Sequence, residues 1–191
     1  MNPSMRTALR RLGWGLVFPL VDVHFGYFDV FPDMIGYIMI LIALGKIGCE
    51  NVGFKQASLL AAVLLFLSLP QLIIKTSIDI NQLTIVPFGM HAYVQGTSLL
   101  HALLAYLIFR GLYTVAKPIA SPELLNAIVS RRKLYMSVFS LQLIFYPFLF
   151  NLEKSWVIML FFIGIFTFVT EILLIRIPFR LSHIKNTPID C

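Results

Sequence analysis

Apolar residues in this chain fall into six stretches, and charged residues mark the ends of most of them. The later stretches are the clearest, since residues 56–74 and 134–152 each run for nineteen residues without a charge. A helix needs about 20 largely apolar residues to cross ~30 Å of hydrocarbon. We therefore predict an all-α membrane protein, a bundle of about six transmembrane helices that forms a single integral membrane domain over residues 1–191. The predicted spans are 12–28, 33–48, 56–75, 93–112, 134–151 and 155–177.

The first two stretches are shorter than the others. Residues 12–21 are ten uncharged residues with Pro19 among them, and residues 34–45 are twelve. A proline removes a backbone donor and clashes with the preceding turn, so we expect a kink near Pro19. These segments form either two short spans or two half-helices of a re-entrant hairpin. We expect two spans, because Pro32 fits the first turn of a second helix.

The lysines and arginines give the predicted bundle an orientation. Of the fifteen, only Lys75 and Lys154 fall on the outer side of the six-span arrangement, and thirteen fall on the inner side. Short loops rich in Lys and Arg stay cytoplasmic, because moving their charges through the bilayer is costly. We therefore predict that both termini are cytoplasmic. The inner residues are Arg6, Arg10, Arg11, Lys46, Lys55, Arg110, Lys117, Arg131, Arg132, Lys133, Arg176, Arg180 and Lys185.

The composition supports a membrane class. The chain is 59% hydrophobic and only 13% charged, whereas soluble domains carry roughly 25% charged residues. Its net charge is +6, and the basic residues lie at the ends of apolar segments. This position favours anionic lipids on the cytoplasmic side over nucleic acid as the partner of these residues. We expect a multi-pass protein of the cell membrane, and the sequence leaves a protein partner or a homo-oligomer open.

The inner segment 113–133 contains the pattern of a helix start. Ser121 can cap the helix, Pro122 fits its first position, and Glu123 suits its positive end. Because basic residues follow before the next apolar stretch begins at Leu134, we predict a separate short helix on the inner leaflet.

Polar residues inside or beside the apolar stretches are the candidate site. Asp22 lies within a short apolar stretch, where an ionised carboxylate costs about 2.5–3.5 kcal/mol. Three carboxylates and an imidazole within twelve positions could handle an ion or protons. Asp29 and Asp33 are also explained as solvated turn residues. The candidate ion- or proton-handling residues are Asp22, His24, Asp29, Asp33 and Glu171.

Glu171 interrupts the last stretch, five residues before Arg176. That spacing is not the favoured three or four for a pair on one helix. Pairing with Arg176, pairing with another helix and a neutral, protonated state are all open. His101, Gln71 and Gln142 lie in other spans, and we expect them to form hydrogen bonds between helices.

The chain lacks the motifs of zinc hydrolases, serine hydrolases and P-loop proteins. We therefore predict no catalytic residues, no cofactor and no metal site, and a non-catalytic scaffold, accessory or sensor subunit. The alternative is a small ion- or proton-coupled transporter or channel that uses Asp22, His24 and Glu171. A third interpretation, a lipid enzyme, has only the acyltransferase-like H-x-x-x-x-D spacing of His24 and Asp29, which is a pattern of low specificity.

The segment FDVFPDMIGYIMI, Phe28 to Ile40, resembles a segment of small multi-pass membrane proteins of Gram-positive bacteria. The resemblance covers about the first quarter of the chain. It implies a bacterial plasma-membrane protein and carries no activity or site residue.

Overall fold

The computed structural model describes residues 3–20, 24–25, 28–29, 33–48, 52–72, 86–150 and 157–184. In these residues the predicted all-α class is confirmed, with six helices and one short hairpin. The helices are α1 (Pro3–Val17), α2 (Asp33–Ile47), α3 (Val52–Ser68), α4 (Phe88–Ala116), α5 (Pro122–Phe145) and α6 (Val157–Ser182). Turns of 3₁₀ helix follow α1, α3 and α5 at Phe18–Leu20, Leu69–Leu72 and Tyr146–Phe150. The strands β1 (His24–Phe25) and β2 (Phe28–Asp29) pair antiparallel.

Helices that are neighbours in the chain pack against each other, and α1 also packs against α6, which closes the bundle. One apolar core draws on every helix. Fully buried representatives, one from each helix in order, are Leu12, Ile40, Phe54, Ile108, Ile128 and Ile177.

The first two helices form a tight pair. A Cβ atom added to Gly36 would lie 2.7 Å from the carbonyl oxygen of Gly15 and 2.8 Å from Cδ of Pro19. Small residues of this kind allow two helix backbones to approach closely. Because the end of α1 contacts the start of α2, the two helices are antiparallel.

The bounds of α1 differ from the first predicted span. The helix begins at Pro3, so it includes the basic residues Arg6, Arg10 and Arg11, and it ends at Val17. Arginine is a good helix former, which explains the early start. The expected disturbance at Pro19 is a 3₁₀ turn that ends the helix instead of a kink within it.

The prediction of a separate short helix before Leu134 is wrong. Helix α5 runs without interruption from Pro122 to Phe145. Its predicted start is confirmed, since the Ser121 hydroxyl accepts a hydrogen bond from the Leu124 backbone N–H at 3.4 Å. The basic residues that follow do not end the helix, because lysine and arginine favour helices and no Gly or Pro intervenes.

Helix α2 begins about 14 Å further into the bundle than α4 does. Tyr37 contacts His101; it lies four residues, about 6 Å, from the start of α2, whereas His101 lies about 20 Å from the start of α4. Strand β2 packs beside the 3₁₀ turn Leu69–Leu72 at the end of α3. The short β-hairpin therefore lies beyond the start of α2, on the side of the bundle where α3 ends.

Within the described residues, two helical stretches are long and apolar enough to cross a membrane, Phe88–Ala116 and Phe162–Ser182. Gly53–Ser68 is a shorter apolar helix. The core helices of soluble proteins pass the same test of length and composition.

Candidate functional site

Five polar side chains lie close together in the middle of the bundle, and we call them the His101 cluster. Asp33 and Tyr37 come from α2, where a spacing of four places them on one face. His101 comes from α4, Tyr135 from α5 and Glu171 from α6. The cluster therefore joins four helices through polar groups.

His101 occupies the centre of the cluster and contacts a partner through each ring nitrogen. Its Nδ1 lies 3.2 Å from the Tyr37 hydroxyl, and its Nε2 lies 3.9 Å from Oε1 of Glu171. A neutral imidazole has one donor nitrogen and one acceptor nitrogen. The arrangement that suits both partners has the Tyr37 hydroxyl donating to Nδ1 while the Nε2–H points toward the Glu171 carboxylate. This tautomer is inferred from the partners.

The separation between His101 and Glu171 is longer than a hydrogen bond. The contact is therefore a loose one that a small rotation of either side chain can tighten. A positive charge on His101 would draw the carboxylate closer.

The Tyr135 side chain is 1% exposed, and its hydroxyl forms no hydrogen bond within the described part of the chain. The hydroxyl lies within interaction range of the Glu171 carboxylate. Glu171 therefore lies between two polar neighbours, His101 on α4 and Tyr135 on α5.

Asp33 supplies a second carboxylate at the start of α2. It lies close enough to Tyr37 and Glu171 to interact electrostatically with both. The His101 and Glu171 side chains keep exposures of 15% and 17%. Both side chains are therefore largely, but not completely, enclosed by the helices.

Of the predicted site residues, the structure brings Asp33 and Glu171 into the same cluster. Asp22 lies outside the described residues. His24 and Asp29 pair in the register of the β-hairpin, and their side chains lie outside the described part. Glu171 contacts other helices, which is one of the alternatives that its spacing from Arg176 left open.

Two of the expected hydrogen bonds between helices are confirmed. His101 bonds to α2 as described, and the Thr167 hydroxyl of α6 donates to Oε1 of Gln142 on α5 at 2.8 Å. Gln71, the third residue of that prediction, has its side chain outside the described residues. A further pair, His91 and Tyr146, joins α4 to the end of α5 at 2.8 Å.

Sequence reasoning missed Tyr37 and Tyr135 as members of the site. Both are tyrosines in apolar or mixed helices, where packing or an interfacial position explains them equally well. The one available signal is the spacing of four between Asp33 and Tyr37, which places two polar groups on one face of a helix.

No family model, curated protein or solved structure matches this chain. Among the described residues, no group of three or more His, Cys, Asp or Glu side chains could hold a metal ion. The groups that do meet are two carboxylates, an imidazole and two phenols. Such groups can hold a proton and pass it over short distances.

Proposed function

We propose that the chain is a multi-pass protein of the cell membrane, with six crossings and both termini in the cytoplasm. Large apolar side chains lie on the outside of the bundle, among them Phe66, Phe88, Ile144 and Phe166, each more than half exposed. In water, contiguous surfaces of this kind cause association, whereas lipid tails cover them. The thirteen-to-two split of the Lys and Arg residues supports the sidedness.

We further propose that the protein handles protons as a small proton-coupled transporter or channel. The observation that carries this proposal is the position of His101 between the Tyr37 hydroxyl and the Glu171 carboxylate. Ionisable groups at membrane depth are costly, and proteins keep them mainly in ion or proton pathways. The start of α2 inward of the start of α4 adds support, because short and broken helices line the binding sites of many transporters.

The proposed transfer uses three side chains in order. When a proton binds Nδ1 of His101, the Tyr37 hydroxyl turns from hydrogen-bond donor to acceptor. The resulting imidazolium charge draws the Glu171 carboxylate toward the Nε2–H. The Nε2 proton then moves to Glu171, which leaves a neutral imidazole and a neutral acid. The protonated Glu171 can hydrogen-bond to the Tyr135 hydroxyl on its other side, which separates it from His101. Asp33, the other carboxylate of the cluster, offers a second acceptor.

The alternative role for Asp22 and His24 as ion-handling groups stays a prediction. In the proposed orientation the β-hairpin lies on the outer side of the His101 cluster, so these residues would serve the outer approach to it. The central groups are His101 and Glu171.

The second candidate is a non-catalytic scaffold, accessory or sensor subunit. The contact of His91 with Tyr146 and that of Gln142 with Thr167 join helices without any carboxylate. Polar contacts of this kind commonly hold membrane helices together. The His101 cluster would then be one more such contact.

A proton-flux assay separates the two candidates. The purified protein is reconstituted in vesicles that contain a pH indicator, and a potassium diffusion potential drives protons inward. We expect wild type to acidify the lumen and Glu171→Gln to match empty vesicles. The control is Glu123→Gln, which removes an exposed carboxylate from the first turn of α5 and should leave the flux unchanged.

Infrared difference spectra between acidic and alkaline pH give a second readout that needs no transport. Proton handling requires a carboxylic-acid band that disappears in Glu171→Gln. Absence of both the flux and this band in the wild type would refute the proton proposal and favour the scaffold.

A further inference from the structure

Arg131 is fixed at the junction between α5 and α6. Its Nη1 donates a hydrogen bond of 2.9 Å to the backbone carbonyl of Leu173. Helix α6 contains Pro178, which has no N–H and so cannot bond to the Leu174 carbonyl in the preceding turn. Arg131 thus binds the carbonyl next to the one that the proline leaves unpaired, and its guanidinium lies against α6.

Two further guanidinium groups follow on the same part of α6. Arg176 lies one turn after Leu173, and Arg180 one turn later, so the two share a face. Both are exposed. Arg131 lies before the predicted span at 134–151, and its pKa is lowered first by burial and then by the charges of Arg180 and Arg176. The three positive charges therefore act on one another.

No carboxylate of the described residues forms an ion pair with these three arginines. Glu171 and Asp33 belong to the His101 cluster. Glu123 lies eight residues, about 12 Å, before Arg131 along α5. A cluster of three guanidinium groups with no carboxylate partner among the described residues suits phosphate, which guanidinium binds with two parallel hydrogen bonds.

The exposed face of α6 continues away from the arginines as an apolar stripe. Its members follow helical spacing and are all exposed: Phe162, Ile165, Phe166, Val169 and Ile172. The stripe leads directly to Arg176. A surface that is apolar along its length and cationic at one end matches the two parts of a phospholipid.

We propose that Arg131, Arg176 and Arg180 bind the phosphate of an anionic phospholipid of the inner leaflet, whose acyl chain lies along the apolar stripe of α6. The inference rests on the membrane placement and orientation proposed above, but not on proton handling. A zwitterionic lipid fits less well, because its ammonium group would bring a positive charge to the arginines.

Native mass spectrometry of the full chain in detergent tests the site, with dioleoyl phosphatidylglycerol and dioleoyl phosphatidylcholine as probes. We expect wild type to bind the phosphatidylglycerol more tightly. Arg176→Gln combined with Arg180→Gln should weaken that binding by about tenfold or more. The matched control, Arg110→Gln with Lys117→Gln, removes two exposed charges from α4 and should keep the preference.

Three results would overturn the inference. The first is an unchanged lipid preference in the double arginine variant, and the second is an equal loss in the α4 control. The third is displacement of the lipid by low concentrations of inorganic phosphate, which would make this a site for free phosphate. A failure of the membrane placement itself is distinguishable, because the protein would then be recovered without detergent after cell lysis.

Discussion

His101 and Glu171 face each other between α4 and α6, with Nε2 of the imidazole 3.9 Å from Oε1 of the carboxylate. The distance makes the pair sensitive to protonation, since a charge on the imidazole shortens the contact and a neutral acid releases it. The Tyr37 hydroxyl holds the other ring nitrogen, so the ring orientation is set before any proton arrives.

Replacing His101 by glutamine should abolish the proton flux while the protein still folds. Glutamine keeps hydrogen-bonding groups in this position but cannot carry the charge. His101→Phe should also lose flux and, in addition, lower the melting temperature, because the Tyr37 hydroxyl loses its acceptor. Flux in vesicles and thermal melting in detergent measure the two effects. Full flux in His101→Gln would remove the imidazole from the pathway.

Two tyrosine variants should change stability in opposite directions. Tyr37→Phe leaves Nδ1 of His101 without its donor and should destabilise the fold by about 1–3 kcal/mol. Tyr135→Phe removes a buried hydroxyl that has no hydrogen-bond partner in the described residues, so its effect should be neutral or stabilising. Thermal melting of both variants and of wild type gives the order of their stabilities. The assignment of the two hydroxyls fails if Tyr135→Phe is the more destabilising.

Gly36→Ala should disrupt the contact between α1 and α2. The added Cβ would meet the Gly15 carbonyl at 2.7 Å and Pro19 at 2.8 Å, and neither backbone nor proline ring can rotate away. We expect a large loss of folded protein in size-exclusion chromatography. Gly96→Ala is the matched control in α4, since nothing lies within 4 Å of its Cβ, and it should stabilise by about 0.5–1 kcal/mol.

Labelling of single cysteines tests the proposed topology. Both native cysteines are first replaced by serine, and one cysteine is then introduced at Tyr27, Asn81 or Asn126. An impermeant thiol reagent applied to intact cells should label positions 27 and 81 but not 126, which lies near the start of α5, on the cytoplasmic side in the proposed orientation. Labelling at 126 would reverse the orientation. A silent position 27 would favour the re-entrant hairpin, because a buried turn is not accessible.

The sequence was sufficient to predict those helix ends that carry local signals. The start of α5 at Ser121 and the end of α2, where the Gly48 N–H bonds to the Leu44 carbonyl at 2.8 Å, follow from local chemistry. The continuity of α5 was missed because a change from polar to apolar residues does not by itself break a helix. The His101 cluster could not be predicted, since Tyr37 and His101 are 64 residues apart and meet only when the whole bundle is assembled.

In the proposed membrane orientation, the start of α2 inward of the start of α4 has an electrical consequence. Water outside the start of α2 would conduct ions far better than the packed helices further in. Most of the transmembrane voltage would then fall across the inner part of the bundle, over a shorter distance and at a higher field strength. His101 and Glu171 would lie at the upper edge of that region, where a proton that moves inward senses nearly the full membrane potential.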